Sequence, residues 1–411
     1  MLNKDGIREL AYVVTIDAIE PIVGSDNCES AVVGGWHCMV RKNTLKAGDK
    51  AVYFEIDSHL DTTKPEFAFL EKKHGNIKTQ KYTFGGKNEG YFSQGLIMGF
   101  EDLNLNADEY EVGDFLTATL GVTYAEVEDN SRKAKSDPDA KYKTVLRRHP
   151  KLAKKFGKFI MSHTWAKKLM YFFLHKKNDK KSEFPSWVVK TDEERIQNLS
   201  GRIPEFRQER WVATEKVDGT STTFSLKKNK KGFDYYVCSR NVVMKSPSMY
   251  NTKKKCYYDT ATDDGNVYLE MDKKYNMEDK MTKMFKNEAV IEDNLDFLTV
   301  QGETYGGNIQ KRKYGTEHNL AVFNVIFGYT DGKTKRLNPF EMQEFCDYYG
   351  LPTVPVLTEI ELPDSVDGIL ALAGGESVID GGMREGLVFR TLDGKKSFKA
   401  VDNEFLAKYH G

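Results

Sequence analysis

The sequence predicts an α+β protein: an N-terminal all-β barrel, a helical connector, and a C-terminal domain built on a largely antiparallel sheet. Three observations carry this. Residues 8–120 hold short β-rich runs broken by turn signals. Residues 125–182 lose the strand signal, gain charge and place apolar residues at helical spacing. Residues 184–411 return to β-rich runs with a few capped helices between them. A chain of 411 residues has room for at least two domains.

In the first region the runs are RELAYVVTIDAIEPI, SAVVGGWHCMVRK, KAVYFEIDSHL, QGLIMGF and DFLTATLGV. Gly34-Gly35 and Ala47-Gly48-Asp49 supply turns between them. A five-stranded OB-like barrel fits residues 1–121. In the connector, residues 122–183, the sequence spaces Leu152, Phe156, Phe159, Ile160 and His163 as one helix face, and a second apolar stretch, Trp165 to Leu174, is expected to pack on a neighbour. The last domain, residues 184–411, opens at Phe184-Pro185. KTDEERIQNL reads as a helix start, with Thr191 or Asp192 as cap. Strand runs follow at 211–226, 233–240, 298–305, 320–328 and 385–400, and NPFEMQEFCDYY reads as a helix stopped by Gly350.

Lys and Arg equal Asp and Glu at 61 each, so net charge names no partner. Its distribution does. From Lys141 to Lys181 there are 14 basic residues and one acid, Asp179. Such a band suits either a polyanion contact, with Lys154, Lys155 and Lys158 as candidates, or a solvated linker. The five cysteines include no CxxC pair and are odd in number, which argues for a reducing compartment and against a disulfide framework or a zinc site. The first residues lack a signal-peptide core, and the apolar patch near Leu169–Leu174 is too short to cross a bilayer. The expectation is a soluble, cytoplasmic monomer with no membrane partner.

The stretch WVATEKVDGTST at 211–222 carries the sharpest chemical signal. Asp-Gly occurs seven times, and most occurrences must be ordinary turns. Only Asp218 has a lysine two residues earlier. Residues 211–217 alternate as a strand and TTFSL resumes it, so Asp218-Gly219 reads as a hairpin turn with Lys216 on a rigid strand end. An amine there is a nucleophile only once it loses its proton, through burial or nearby cations.

EKVDGT resembles motif I of the covalent nucleotidyltransferases, which include ATP-dependent polynucleotide ligases and mRNA-capping guanylyltransferases. The resemblance continues in the family's order. SRN at 239–241 looks like motif Ia, with Arg240; VQGETYG at 300–306 like motif III, with Glu303; AVFNVIF at 321–327 like motif IIIa, with Phe323. REGLVFR at 384–390 looks like motif IV, with Glu385, and SFKAV at 397–401 like motif V, with Lys399. Many relatives carry a second motif V lysine where this chain has Val401, and Lys396 is on the wrong strand face to replace it. With a barrel ahead of the catalytic domain and only ten residues after Val401, the order is similar to the Deinococcus-type nick-sealing RNA ligases. AVYFEIDSHL at 51–60 looks like that group's OB signature, and FPSWVVKTDEERIQN at 184–198 like its lead-in to the catalytic domain.

The resemblance implies an ATP-dependent RNA ligase that joins a 3′-hydroxyl to a 5′-phosphate, at nicks in duplexes, through lysyl-AMP and RNA-adenylate. Lys216, Glu303, Glu385 and Lys399 would be catalytic. The AMP site would comprise Glu215, Lys216, Val217, Asp218, Gly219, Arg240, Glu303, Phe323, Glu385 and Lys399, with Phe323 stacked on adenine. Mg²⁺ or Mn²⁺ would sit at Asp218, Glu303 and Glu385, held through its waters, and a second ion near Asp57 would orient pyrophosphate. The alternatives are a capping-type guanylyltransferase and a non-enzymatic OB-fold RNA-binding protein.

Overall fold

The computed structural model describes residues 1, 3, 8–84, 90–125, 142, 146, 150–174, 183–189, 192–251, 256–257 and 266–411. The chain divides into two compact units, one of Met1–Ala125 with Ser182–Gly411 and one of Glu126–Lys181.

The first unit begins with the barrel. Its strands are β1 (Ala11–Thr15), β2 (Ala18–Pro21), β3 (Cys28–Val33), β4 (Trp36–Arg41), β5 (Lys50–Phe54), β6 (Thr79–Tyr82), β7 (Tyr91–Gln94) and β8 (Leu96–Met98). They pair antiparallel as β1-β5-β8, β2-β3-β4 and β6-β7. Alternation along β1 and β5 explains why both faces are covered. Val13, Val52 and Phe54 enter one apolar cluster, and Tyr12, Val14, Ala51 and Tyr53 enter another. This is the OB-type barrel expected from the sequence.

The remainder of this unit is built mainly on two antiparallel sheets, and Tyr250–Asn251 pairs with Cys256–Tyr257 in a separate two-stranded ribbon. In chain order the strands of the two sheets are β9 (Trp211–Lys216), β10 (Thr220–Asn229), β11 (Gly232–Ser239), β12 (Val243–Lys245), β13 (Leu295–Gly306), β14 (His318–Tyr329), β15 (Thr334–Arg336), β16 (Val356–Ile360), β17 (Gly386–Thr391) and β18 (Ser397–Val401). The larger sheet runs β12-β11-β10-β13-β14-β15 and the smaller β16-β9-β17-β18. The second unit contributes helices α1 (Pro150–Ser162) and α2 (Thr164–Leu174), with Ile160 and Met170 in its own small core. In the first unit, α3 (Val267–Tyr275) and α4 (Met277–Ile291) seat Met271, Met277, Met281, Met284 and Phe285 in the core of the larger sheet. Helix α5 (Pro339–Tyr349) starts at an Asn338–Glu341 capping box and stops at left-handed Gly350, as its sequence predicts. Helix α6 (Val366–Ala373) covers the smaller sheet with Ile369 and Ala373.

Two expectations are corrected. Asp218-Gly219 is not a hairpin turn: β9 and β10 belong to different sheets, so these residues form the corner where the chain crosses between them. The alternating pattern on both sides was real, but each strand finds better partners elsewhere. Residues 192–195 are not helical either; helical structure starts only with a 3-10 turn at Ile196–Arg202. The Asp192 carboxylate is drawn into ion pairs, and Arg195 forms a parallel bridge to Lys399 instead of a first helical turn.

The smaller sheet depends on Phe398, which is fully buried with ring centroids 4.8 Å from both Phe389 and Trp211. Phe398→Ala is expected to destabilise the protein by about 3–5 kcal/mol, read as a lower urea midpoint.

Candidate active site

The site assembles where the two sheets meet. Lys216 ends β9 opposite Gly386 on β17, and its Nζ donates to Oε1 of Glu385 at 2.7 Å. Glu303 lies on β13, paired with Ser221 just past the corner. Gly219 permits that approach: a Cβ there would run into the Thr304 carbonyl oxygen and the Glu303 side chain. The Asp218 backbone N–H donates to the Tyr314 hydroxyl at 3.1 Å, fixing the corner from the other side. Asp218 is buried, and its Oδ1 lies 3.5 Å from Nε2 of His410. One oxygen of Asp218 and one of Glu385 are buried with no hydrogen-bond partner among the described residues.

Three carboxylates around one amine set the electrostatics. Burial alone would depress the Lys216 ammonium, but Glu385, Glu303 and Asp218 outweigh it and hold it above the usual lysine range. Burial also pushes Glu303 up to about 8; Lys216 opposes that shift, while Glu385 and Asp218 add to it. Burial raises Glu385 as well, against the pull of Lys216. With these partners Lys216 is a paired ammonium, and it becomes a nucleophile only on losing its proton.

Lys399 lies on β18, buried, with Nζ 2.9 Å from Oδ1 of Asp192. Burial, which Asp192 only partly offsets, pulls its amine down to about 8, with Arg8, Arg195 and Lys216 adding to the effect. Asp192 also pairs with exposed Arg240 at 2.7 Å and with Arg8 at 3.5 Å. Although burial opposes it, Lys399, Arg8 and Arg240 hold the Asp192 carboxyl well below the usual carboxylate range. Phe323, on β14, is half-buried against the main core, and its carbonyl accepts from Arg390 at 3.1 Å.

The remaining sequence candidates divide. The Glu215 carboxylate is buried and accepts from the Ser377 hydroxyl and the Val378 N–H, so its side chain ties a loop to β9. The Val217 side chain belongs to the core. Asp57 sits at φ +72° in the barrel with Oδ2 3.4 Å from Nη2 of Arg195. Val401, in the place of a second motif V lysine, is buried with Leu406 in the barrel-side cluster. Lys396 is engaged by Glu205 and Glu209, away from the site. Lys154, Lys155 and Lys158 are exposed on α1 in the other unit.

Sequence reasoning missed Asp192, Arg8, Arg195 and His410. Arg195 is buried, with Nε and Nη1 lacking hydrogen-bond partners among the described residues. KTDEER contained the first and third of these four, but its charge pattern looked like a helix start. Nothing in the sequence marks His410, about 190 residues from the Asp218 it approaches.

Among the described residues, no three His, Cys, Asp or Glu side chains form a set able to hold an ion directly. The partnerless oxygens of Asp218 and Glu385, with Glu303 beside them, suit a hydrated divalent cation held through its waters. Removing one partner of a fully buried ion pair costs roughly 3–5 kcal/mol; Asp192 keeps some solvent contact, so Asp192→Asn is expected to cost about 2 kcal/mol. Urea unfolding checks this, and adding Lys399→Met should recover most of the loss.

Comparison with known proteins bears on the fold and the class of enzyme. Residues 209–410 match the RNA ligase family model, and residues 10–100 match the PHA02142 OB-fold domain. The chain is similar to Naegleria gruberi RNA ligase solved with pyrophosphate: 27% identity, TM-score 0.66, over 98% of this chain and 99% of that one. It is similar to a variant of that ligase solved with AMP and Mn, at 25% identity and TM-score 0.67, over the same shares of the two chains. A further variant, solved with ATP and Mn, matches at 25% identity and TM-score 0.65, again over 98% of this chain and 99% of that one. No curated protein sequence matches. The chain is a nucleotidyltransferase-type ligase, with an OB-fold domain ahead of an RNA-ligase domain.

Proposed function

We propose that this ligase uses ATP to join a 3′-hydroxyl RNA end to a 5′-phosphate, sealing nicks in duplexes as a monomer. The organisation proposed is an OB module at residues 1–121, a connector at 122–183 and a catalytic domain at 184–411. The observation that carries the reading is Lys216 at a strand end, paired with Glu385 and flanked by Glu303 and Asp218. It gains support from the Naegleria ligase variants solved with ATP or AMP and Mn.

In the first step the Lys216 ammonium gives up one proton to solvent, and the neutral amine forms a nitrogen–phosphorus bond to the α-phosphorus of ATP as its second proton passes to solvent. The bond from that phosphorus to the pyrophosphate oxygen breaks, and pyrophosphate leaves. The AMP then passes to the RNA 5′-phosphate and frees the lysine. Last, the 3′-hydroxyl attacks that phosphate, AMP leaves, and the strand is sealed. Positioning and charge neutralisation do most of the work in such transfers. Asp218, Glu303 and Glu385 would hold Mg²⁺ or Mn²⁺ through water. Such an ion would supply positive charge to offset these carboxylates and the α-phosphate, which would favour the neutral form of Lys216. Lys399 and Arg240 would then exchange Asp192 for phosphate or ribose oxygens, and Phe323 would stack on adenine. Asp57, beside Arg195, would orient the pyrophosphate through a second ion.

Incubation with labelled ATP and a divalent metal is expected to label Lys216, and Lys216→Ala to abolish the label. Equal labelling of the two proteins would refute the assignment; labelling by GTP alone would point to a capping-type enzyme. Glu385→Gln is expected to slow adenylylation by about 10²-fold, a loss of that order being usual for one charge-stabilising group. Changing Lys154, Lys155 and Lys158 to Gln is expected to lower the salt slope of RNA binding by about 2, at roughly 0.7 per phosphate contact on a single strand.

A further inference from the structure

The connector helices leave much of their apolar surface uncovered. The sequence places Phe156 and Phe159 on a core-facing stripe of α1, but they are 46% and 50% exposed. Among the described side chains of α2 only Ala166 and Met170 are buried; Trp165, Leu169, Phe172 and Phe173 are exposed, the first three at i, i+4 and i+7. The exposed rings are continuous across the turn between the helices. The Phe159 and His163 centroids lie 4.5 Å apart, and Trp165 stands 6.1 Å from Phe159 and 6.4 Å from His163. Residues 150–174 also contain six lysines and no acid.

We propose that this aromatic face of α1 and α2 binds unpaired nucleic-acid bases, with the lysines holding the phosphates of the same strand. The inference rests on the ligase reading for its source of RNA, and deepens the contact proposed for Lys154, Lys155 and Lys158. Two features select a single strand. A duplex shows phosphates but hides its base faces, so a lysine-only surface would serve it; flat rings beside the lysines match a strand whose bases are free to stack. The composition separates bases from lipid. Five of the six exposed apolar residues are aromatic (Phe156, Phe159, Trp165, Phe172 and Phe173), and only Leu169 is aliphatic. A lipid-inserting face gains as much from Leu or Ile as from a ring, whereas stacking needs the ring. The enzyme would then hold an unpaired flank of its substrate.

The test uses the full chain and three variants: Phe159→Ala with Trp165→Ala, the conservative Phe159→Tyr with Trp165→Phe, and the Lys154/Lys155/Lys158→Gln triple. Each is titrated with a single-stranded RNA, a blunt RNA duplex of equal length, and phosphatidylserine vesicles. The alanine pair is expected to weaken single-strand binding about tenfold or more, with duplex binding and salt slope unchanged. The conservative pair is expected to bind like wild type, which separates ring loss from misfolding, and circular dichroism should show equal helix content. The inference is overturned if the alanine pair binds the single strand like wild type, or loses single strand and duplex equally. It is also overturned if the rings matter only for vesicles, or only for self-association measured by sedimentation. Labelling of Lys216 by ATP, run on each variant, reads the ligase assignment separately: single-strand binding that needs the rings without any labelling would sink the enzyme and leave this surface standing.

Discussion

The structure turns on one ammonium placed among three carboxylates. Lys216 pairs with Glu385, with Glu303 and Asp218 close by, and burial strengthens every interaction among them. Three carboxylates and one ammonium leave the set negative, and burial, reinforced by Glu385 and Asp218 against Lys216, pushes Glu303 up to about 8. On the proposed reading the same imbalance would prepare the site for a metal–nucleotide complex: the carboxylates hold Lys216 above the usual lysine range, and with their charge offset burial would favour the neutral amine.

The two-sheet architecture exists around that cluster. The 216–220 corner carries the chain from the smaller sheet to the larger, so Lys216 and Glu385 come from one sheet and Glu303 from the other. Gly219 and Gly386 sit where a side chain would collide with backbone oxygens of Thr304 and Ala400. Gly219 lets the corner approach the larger sheet closely because it has no Cβ, and Gly386 does the same between β17 and β18 within the smaller sheet.

The barrel takes part through polar and apolar contacts alike. Glu55 of the barrel is fully buried and accepts from Arg8, Tyr12 and Asn198, while Asp57 reaches Arg195. Val401 and Leu406, from the end of the catalytic domain, join the barrel core around Trp36 and Tyr53. The strand that presents Lys399 is thus anchored at its far end in the barrel. Replacing a second lysine by Val401 fits that anchoring, since a charge there would be buried among apolar side chains.

Local pattern made most strands and the capped helix at 339–349 legible, because alternation and capping are properties of neighbours in sequence. The order of Lys216, Glu303, Glu385 and Lys399 was legible because the stretches around them resemble a family's motifs in the family's order, although none of these stretches is decisive alone. The sequence by itself therefore determined the residue types, their order and the strands that carry them. Only the tertiary structure decided which strands pair, and so turned an Asp-Gly hairpin reading into a corner between sheets. It alone assigned the partners as well. Asp192 serves Lys399, Arg240 and Arg8, and His410 approaches Asp218, because charges and backbone groups seek their complements in space without regard to sequence separation. The exposed rings of α1 and α2 belong with these: periodicity marks one face of a helix as apolar, but whether anything covers that face is settled only by what packs there.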